Sequence, residues 1–508
     1  MTIPKAAERS VASPAPRRPE GAASAESASP CGVYAPRRDM TIFRTRPTFD
    51  VHVPVVIVGG GACGCVAALA AADAGVEVAV LERDAKPSGN TSLSGGQIPG
   101  AGTNLQRAAG IQDTAELLAG DLIGKARGQC DQSLARHIAS ASAVTIDWLV
   151  ERHGLQLQCM TEFRYPGHSR LHMHAPSGQD GAALHAGLLR AVADSGVDII
   201  CSAKVTGLFA GDDGRIHGVH IERPGGTIET MGCDALILAC NGYGGNQELL
   251  RQYIPEVAEA PYFGHPGNQG DAILWGGILG ASIKDLAAFQ GHGGAAMPYM
   301  TRLGWATMAE GGIQVDAVGK RFSNENAGYS EQALNIRRLP GGAAWAIWDE
   351  RCERATGDMQ CHRECWAAGA IRRFENASDL AVFIGCDRAA LTETLTQAAI
   401  VAAGESPCPF ARDFQGKPPL VPPYFCAKIT GALFHTQGGL EVDLDARVLR
   451  QDGTPFPNLF AGGGAARGLS GPADWGYLSG SGLLMAVNLG RLAGETAAKL
   501  VRSATTIP

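Results

Sequence analysis

Three glycines at fixed spacing, Gly59, Gly61 and Gly64, carry the first recognisable chemistry in the chain. They follow Pro54–Val58, a short apolar run that reads as a buried parallel strand. A small-residue helix is expected from about Ala62 to Ala74, then a second strand over Val76–Leu81, closed by Glu82. In this strand, G-x-G-x-x-G, helix, strand, acid order, each glycine has a task. Gly59 permits the tight turn, Gly61 lets backbone approach a pyrophosphate, and Gly64 lets helix and strand pack closely. The phosphates then meet the N–H groups of the helix N-terminus, at Ala62 and Cys63. Glu82, 23 residues after Gly59, is placed to accept from ribose hydroxyls, with Arg83 beside it. A chance glycine-rich turn would lack this context of strands, helix and acid. The loop Ser88–Gly96 follows closely, and its Asn90, Thr91, Ser92, Ser94, Gly95 and Gly96 offer hydroxyls and backbone N–H groups to a second part of a large cofactor.

The elements that position these residues belong to a large, weakly charged chain. Its 508 residues include 67 glycines, about 13% against an average near 7%. Such an excess is expected where backbone takes positive φ or closely approaches a ligand. The net charge of −7 gives no electrostatic footprint for nucleic acid, and no uninterrupted apolar run is long enough to span a membrane. The 14 cysteines follow no disulfide-framework spacing, so a reducing cytosol is the expected compartment. Cys352, Cys361, His362 and Cys365 match no common zinc spacing and read as scattered thiols; no metal is expected. Residues 1–50 are assigned to an N-terminal tail, the first 39 of which are rich in Ala, Ser, Pro and Arg and are expected to be disordered. Neither Arg17-Arg18 nor Arg37-Arg38 is followed by an apolar region of secretory type, and Met40 reads as an initiation site.

With these motifs in order, the chain resembles the fumarate reductase and 3-ketosteroid 1-dehydrogenase group of FAD flavoproteins. The carrying segments are GNTSLSGG (89–96), DALILACNGYGGN (234–246), PNLFAGGG (457–464) and GSGLLMAVNLGRLAG (480–494). Cys240-Asn241 stands where the group has Thr-Gly, and Gly464 where it has an acid. The resemblance implies FAD as cofactor, a doubly wound α/β Rossmann-type FAD domain over 51–290 plus 431–508, and an inserted α+β capping domain over 291–430. It adds Val205, Asn241, Gly242, Gly463, Ser479, Gly482 and Leu483 to the expected cofactor contacts.

Site residues follow position by position. The fumarate reductase branch clamps a dicarboxylate with two histidines and several arginines. The histidines fall on His292 and His435; a satisfied core histidine is the plainer reading of each. The arginine positions fall on Met308, Tyr329 and Tyr477, and the acid position on Trp305. Without those arginines neither the clamp nor the arginine proton route is available. The resemblance therefore implies the dehydrogenase branch, with Tyr329 as base and Tyr477 binding the ketone oxygen, partnered by a backbone donor at Gly480, Ser481 or Gly482. Tyrosine has an ordinary pKa near 10, so Tyr329 is expected to need help from His292 or His435. The α-proton would go to Tyr329 and the β-hydrogen would leave as hydride to flavin N5. The histidines point to a substrate that also carries a carboxylate or another polar group, for which Arg302 is a candidate, a surface arginine being its plainer reading. Trp305, Met297 and Met300 are expected to leave an apolar pocket. The expected substrate is a steroid-like or smaller cyclic ketone or keto acid, with an unidentified electron acceptor. The competing readings are an enoate or enone reductase and a non-catalytic flavin-binding protein. Deletion of residues 1–39 is expected to leave FAD binding intact, measured as flavin per chain; loss of the flavin would refute a dispensable tail.

Overall fold

The structure, a computed structural model, describes residues 41–505 apart from Phe163, Asp358 and Gln415, so most of the 1–50 tail, including the 39 residues expected to be disordered, lies outside the described residues. Thr41–Phe43, placed in that tail from sequence, instead pair in parallel with Gly207, Leu208 and Phe209. The reason is local: Phe43 stacks on Phe209, with ring centroids 4.8 Å apart.

The first sheet contains β1 (Val55–Val58), β2 (Val78–Leu81), β3 (Asp198–Ile200) and β4 (Ala235–Leu238). Every residue of β1, β2 and β4 is buried, which is why they read as unbroken apolar runs. With β9 (Arg447–Leu449) and β10 (Pro455–Ala461) the sheet order is β9-β10-β4-β1-β2-β3, parallel except at the β9 edge. This is the expected Rossmann-type sheet. Helix α1 (Ala62–Asp73) leaves β1 through the glycine turn and is buried from Ala62 to Ala71. Gly59 takes φ +110°, and a Cβ there would lie 2.6 Å from the Ala239 carbonyl oxygen. A Cβ on Gly64 would lie 1.9 Å from the Gly59 oxygen, so helix and turn touch through backbone alone. The C-terminal helix α3 (Ser481–Thr505) packs on α1 in the same way. Cβ atoms on Gly490 and Gly494 would sit 2.5 Å and 2.3 Å from the carbonyl oxygens of Cys63 and Ala67.

The second sheet is antiparallel. It contains β5 (Phe289–Ala296), β6 (Ile313–Val315), β7 (Ala343–Asp349) and β8 (Tyr424–Thr436), ordered β5-β8-β7-β6, with Thr301–Arg302 on the outer edge of β5. Gln290 pairs with His435 and His292 with Ala432, with register shifts on both sides of Gly291–His292. Such shifts re-aim side chains. Helix α2 (Tyr329–Arg337) lies on the β5–β8 face, where a Cβ on Gly431 would come 2.1 Å from the Ala333 oxygen and Gly291 N donates to Ser330 Oγ at 2.9 Å. Tyr329 is the first residue of this helix. Among the described residues no helix is long and apolar enough to cross a membrane.

Replacing Gly64 by Ala should lower stability by about 1–3 kcal/mol through overpacking and reduce bound flavin. Thermal denaturation and flavin content of the purified variant measure both, and wild-type values would contradict the close packing.

Candidate active site

One continuous cleft runs from the glycine turn of β1–α1 to the aromatic cluster between the two sheets. At its first end the glycine turn, Glu82 and the Asn90–Gly95 loop meet. Gly60 N donates to Glu82 Oε2 at 2.9 Å and Asp84 N to Oε1 at 3.0 Å, which fixes the buried carboxylate. Ala62 N donates to Thr91 Oγ1 at 3.0 Å, tying the loop to the start of α1. A Cβ on Gly61 would meet only Thr91 Oγ1, at 3.5 Å, so backbone borders open cleft there. The first turn of α1 has no acid to repel phosphate. These residues fit a dinucleotide: turn and helix N-terminus for the pyrophosphate, Glu82 for a ribose.

Of the expected cofactor contacts, Gly59, Gly61, Ala62, Cys63, Glu82, Arg83, Asn90, Thr91, Ser94, Gly95, Val205, Asn241, Gly463, Gly482 and Leu483 line the cleft. Gly64, Ser92, Gly96, Gly242 and Ser479 do not. Gly64 is consumed by packing on Gly59, as above. Ser92 Oγ bonds back to Gly89 O at 2.8 Å, a Cβ on Gly96 would lie 2.9 Å from Asp180 O, and one on Gly242 would lie 2.1 Å from Thr436 Oγ1. Asn241 takes φ +65°, a conformation Asn tolerates, so its replacement of the group's glycine keeps the turn. Its Oδ1 would be 2.1 Å from a Cβ on Gly464, and so occupies the space where the group carries an acid.

At the other end all four expected catalytic side chains line the cleft. Tyr329 and Tyr477 rings are 6.2 Å apart, His292 stacks on Tyr329 at 5.1 Å, and His435 meets Tyr477 edge-on at 5.4 Å. Burial pushes the Tyr329 phenol well above its ordinary pKa and neighbouring Tyr477 adds to the rise, whereas the Ser479 hydroxyl and Arg302 draw it down. Burial pushes Tyr477 to about 12, against the Gly482 N–H, the hydroxyls of Ser481 and Tyr329, and the Gly480 N–H. Ser481 N is committed to Leu478 O at 3.0 Å, which leaves Gly482 and Gly480 as the backbone donors. Ser479 thus stands by Tyr329, and His168 Nε2 holds its carbonyl oxygen at 3.1 Å.

Both histidines are neutral donors. Gly294 N donates to His292 Nδ1 at 3.1 Å, so Nε2 carries the proton in that ring, whereas His435 Nδ1 lies between the Gln437 amide nitrogen at 2.8 Å and the Thr436 carbonyl oxygen at 3.3 Å. Burial pulls their pKa values to about 3 and about 4, with Arg302 adding to the fall at His292. The expected histidine help for Tyr329 is therefore corrected: His292 lies stacked beside the ring, and the groups acting on the phenol oxygen are Ser479, Tyr477 and Arg302.

Arg302 is no surface residue; it lines the cleft, as do Tyr165, Gln97, Gln179 and Cys361, which sequence reasoning missed because no motif marks their loops. Of the expected apolar residues only Trp305 lines it; Met297 is half-buried outside and Met300 is 40% exposed. In the thiol and histidine set at 352–365, His362 Nε2 bonds Glu353 at 3.0 Å and Cys352 Sγ donates to Glu310 O at 3.4 Å. Asp121, His168 and His172 do draw together, but both His172 nitrogens are already held by Asp113 and Asp121, at 2.6 and 2.9 Å.

A family model described as an FAD binding domain matches residues 54–482. A probable fumarate reductase of Shewanella frigidimarina is 27% identical over 450 residues, covering 88% of this chain and 74% of that protein. The 4-oxocyclohex-2-ene-1-carboxylate 5-dehydrogenase of Sinomonas cyclohexanicum is 30% identical over 361 residues, covering 63% of this chain and 60% of that protein. Among solved structures, a 3-ketosteroid Δ4-(5α)-dehydrogenase from Rhodococcus jostii superposes with a TM-score of 0.71 at 23% identity, over 90% of this chain and 100% of that one, a likeness of fold.

The buried histidines set a pH dependence. Their folded pKa values lie below the ordinary 6.5, so as pH falls the unfolded chain takes up protons that the folded chain refuses, and stability drops. Each contributes a slope of about 1.4 kcal/mol per pH unit below its unfolded pKa. Urea denaturation between about pH 5.5 and 4.5 should show His292→Asn losing one such increment of slope; an unchanged slope would mean that His292 titrates normally.

Proposed function

Because the chain belongs to the FAD binding domain family, we propose that this FAD-dependent oxidoreductase introduces a carbon–carbon double bond α,β to the carbonyl of a ketone. The observation that carries this is the buried pair Tyr329 and Tyr477, 6.2 Å apart in the cleft, with the Gly482 N–H directed at the Tyr477 oxygen. FAD, held along Gly59–Gly61, Glu82 and the Asn90–Gly95 loop, supplies the hydride acceptor when bound. Tyr477 donates to the ketone oxygen, and that hydrogen bond strengthens as enolate charge grows. Gly482 belongs to the first turn of α3, so the positive end of the helix dipole supports the same charge. Tyr329 takes the α-proton. Ser479 and Arg302 both favour its ionised form, against the burial that disfavours it. His292, neutral and protonated on Nε2, donates without competing for the proton, and His435 is likewise held neutral by burial.

The second reading is the reverse reaction, reduction of an enoate. Arg302 in the cleft and the retained histidines support it, as does the likeness to the Shewanella protein. In either direction electrons are exchanged with an external partner, for which oxygen, a quinone or a carrier protein are the chemical options. The division into an FAD-binding part (51–290 plus 431–508) and a cap (291–430) remains our proposal, supported by the second sheet, whose strands run from Phe289 to Thr436. All described cysteines are free thiols, which supports a reducing compartment.

Tyr329→Phe should lower turnover of a saturated cyclic ketone by about a hundredfold or more, and Tyr477→Phe by a similar factor, with flavin content unchanged. Retained turnover in the first variant would remove Tyr329 as base. With a base whose pKa is raised, the rate rises with pH from about 7 to 9, as the ionised fraction grows. A rate already independent of pH between about 7 and 9 would assign the base to a group that is unprotonated throughout that range, as the buried histidines are.

A further inference from the structure

The cleft holds a cation that no carboxylate answers. Arg302, half-buried on the short edge strand paired with Ala295, forms no ion pair among the described residues. Its guanidinium is surrounded by the Cys361 thiol and the phenols of Tyr165 and Tyr329, and Nη2 lies 3.7 Å from where a Cβ on Gly95 would stand. The phenols are not anions at neutral pH: burial pushes Tyr165 to about 12 and Tyr329 well above its ordinary value.

The neighbouring polar groups are donors as well. Trp305 is 3% exposed and its Nε1–H is buried with no hydrogen-bond partner, although the residue lines the cleft. His292, whose ring lies 5.5 Å from Trp305, carries its proton on Nε2. Gln97 gives its amide nitrogen to Tyr165 Oη and Gln179 Oε1, at 2.8 and 2.7 Å, and so also donates here. An arginine whose side chain bonds the Cys361 thiol, an indole N–H and an imidazole N–H thus meet at one wall with no carboxylate among the described residues. Leaving a buried cation and a buried donor unanswered is costly. A planar carboxylate answers both, since it accepts two parallel bonds from a guanidinium and has lone pairs left for the ring donors.

We infer that Arg302, Trp305 and His292 form a carboxylate subsite, and that the substrate is a compact keto acid with its ketone at Tyr477 and its carboxylate at Arg302. The ketone half of this rests on the dehydrogenase reading above; the carboxylate half does not.

The test uses the full chain with FAD bound and ligands that cannot be dehydrogenated. 4-Hydroxybenzoate and 4-hydroxybenzamide share a ring and a phenol oxygen and differ in the charge at the far end. Affinities come from the change in flavin absorbance on titration. Wild type should bind the benzoate about ten- to a hundredfold more tightly than the benzamide, the range expected for a charge-assisted hydrogen bond. Arg302→Gln should bring the two within about threefold, and Arg302→Lys should retain part of the preference. Equal affinities in wild type, or a preference surviving in Arg302→Gln, would overturn the subsite. Loss of FAD in both Arg302 variants would overturn it too, by assigning the arginine to the cofactor. If the preference behaves as expected while no saturated keto acid reduces the flavin, the dehydrogenase reading fails and the subsite stands.

Discussion

The packing of two helices without intervening side chains sets the scale of the whole cleft. Glycines on α3 rest directly on the carbonyl oxygens of Cys63 and Ala67 in α1. Both helices begin at the cleft: α1 at Ala62, where a pyrophosphate would sit, and α3 at Ser481–Gly482, beside Tyr477. Two positive helix ends are thereby held at a fixed separation, one for phosphate and one for a developing enolate. A side chain at either glycine would push the helices apart and change the distance between cofactor anchor and reacting carbonyl.

The second sheet supplies the rest of the site by irregularity. Strand β5 shifts register against β8 around His292, and α2 lies so close on the sheet that its first residue, Tyr329, enters the same wall. The result is a buried, donor-rich chamber. Burial keeps the tyrosines protonated and the histidines neutral, so Arg302 is the one described cation whose charge acts on both Tyr329 and His292. This gives one arginine two roles in the account: it favours ionisation of the base, and it attracts an anionic substrate.

How much of this could be read from the chain depended on whether the signal was local. The β1–turn–α1–β2 unit was legible because its chemistry lies in consecutive residues, as was the Asn90–Gly95 loop. Tyr329, Tyr477 and the two histidines were reached only through the family resemblance, since nothing in their own spacing marks them. Arg302 was read as most simply a surface residue because a two-residue edge strand gives no periodicity; only the pairing with Ala295 turns it inward. Met297 and Met300 were misplaced for the same reason, falling on the turn of that hairpin rather than on its inner face. Tyr165, Gln97 and Gln179 come from three separate loops, and only tertiary structure joins them. The substitution of Asn241 for glycine looked like a departure, yet its positive φ and its contact with the Gly464 position make the two changes a matched pair.

The central claim is that this cleft removes a proton and a hydride from adjacent carbons of a keto acid. The most direct measurement is anaerobic stopped-flow bleaching of the bound flavin by 4-oxocyclohexane-1-carboxylate, unlabelled and deuterated at the carbons β to the ketone. The account predicts single-turnover bleaching that is slowed severalfold by β-deuteration. Failure of the oxidised flavin to bleach, together with reoxidation of the chemically reduced flavin by an unsaturated acid, would contradict it and assign the chain to enoate reduction.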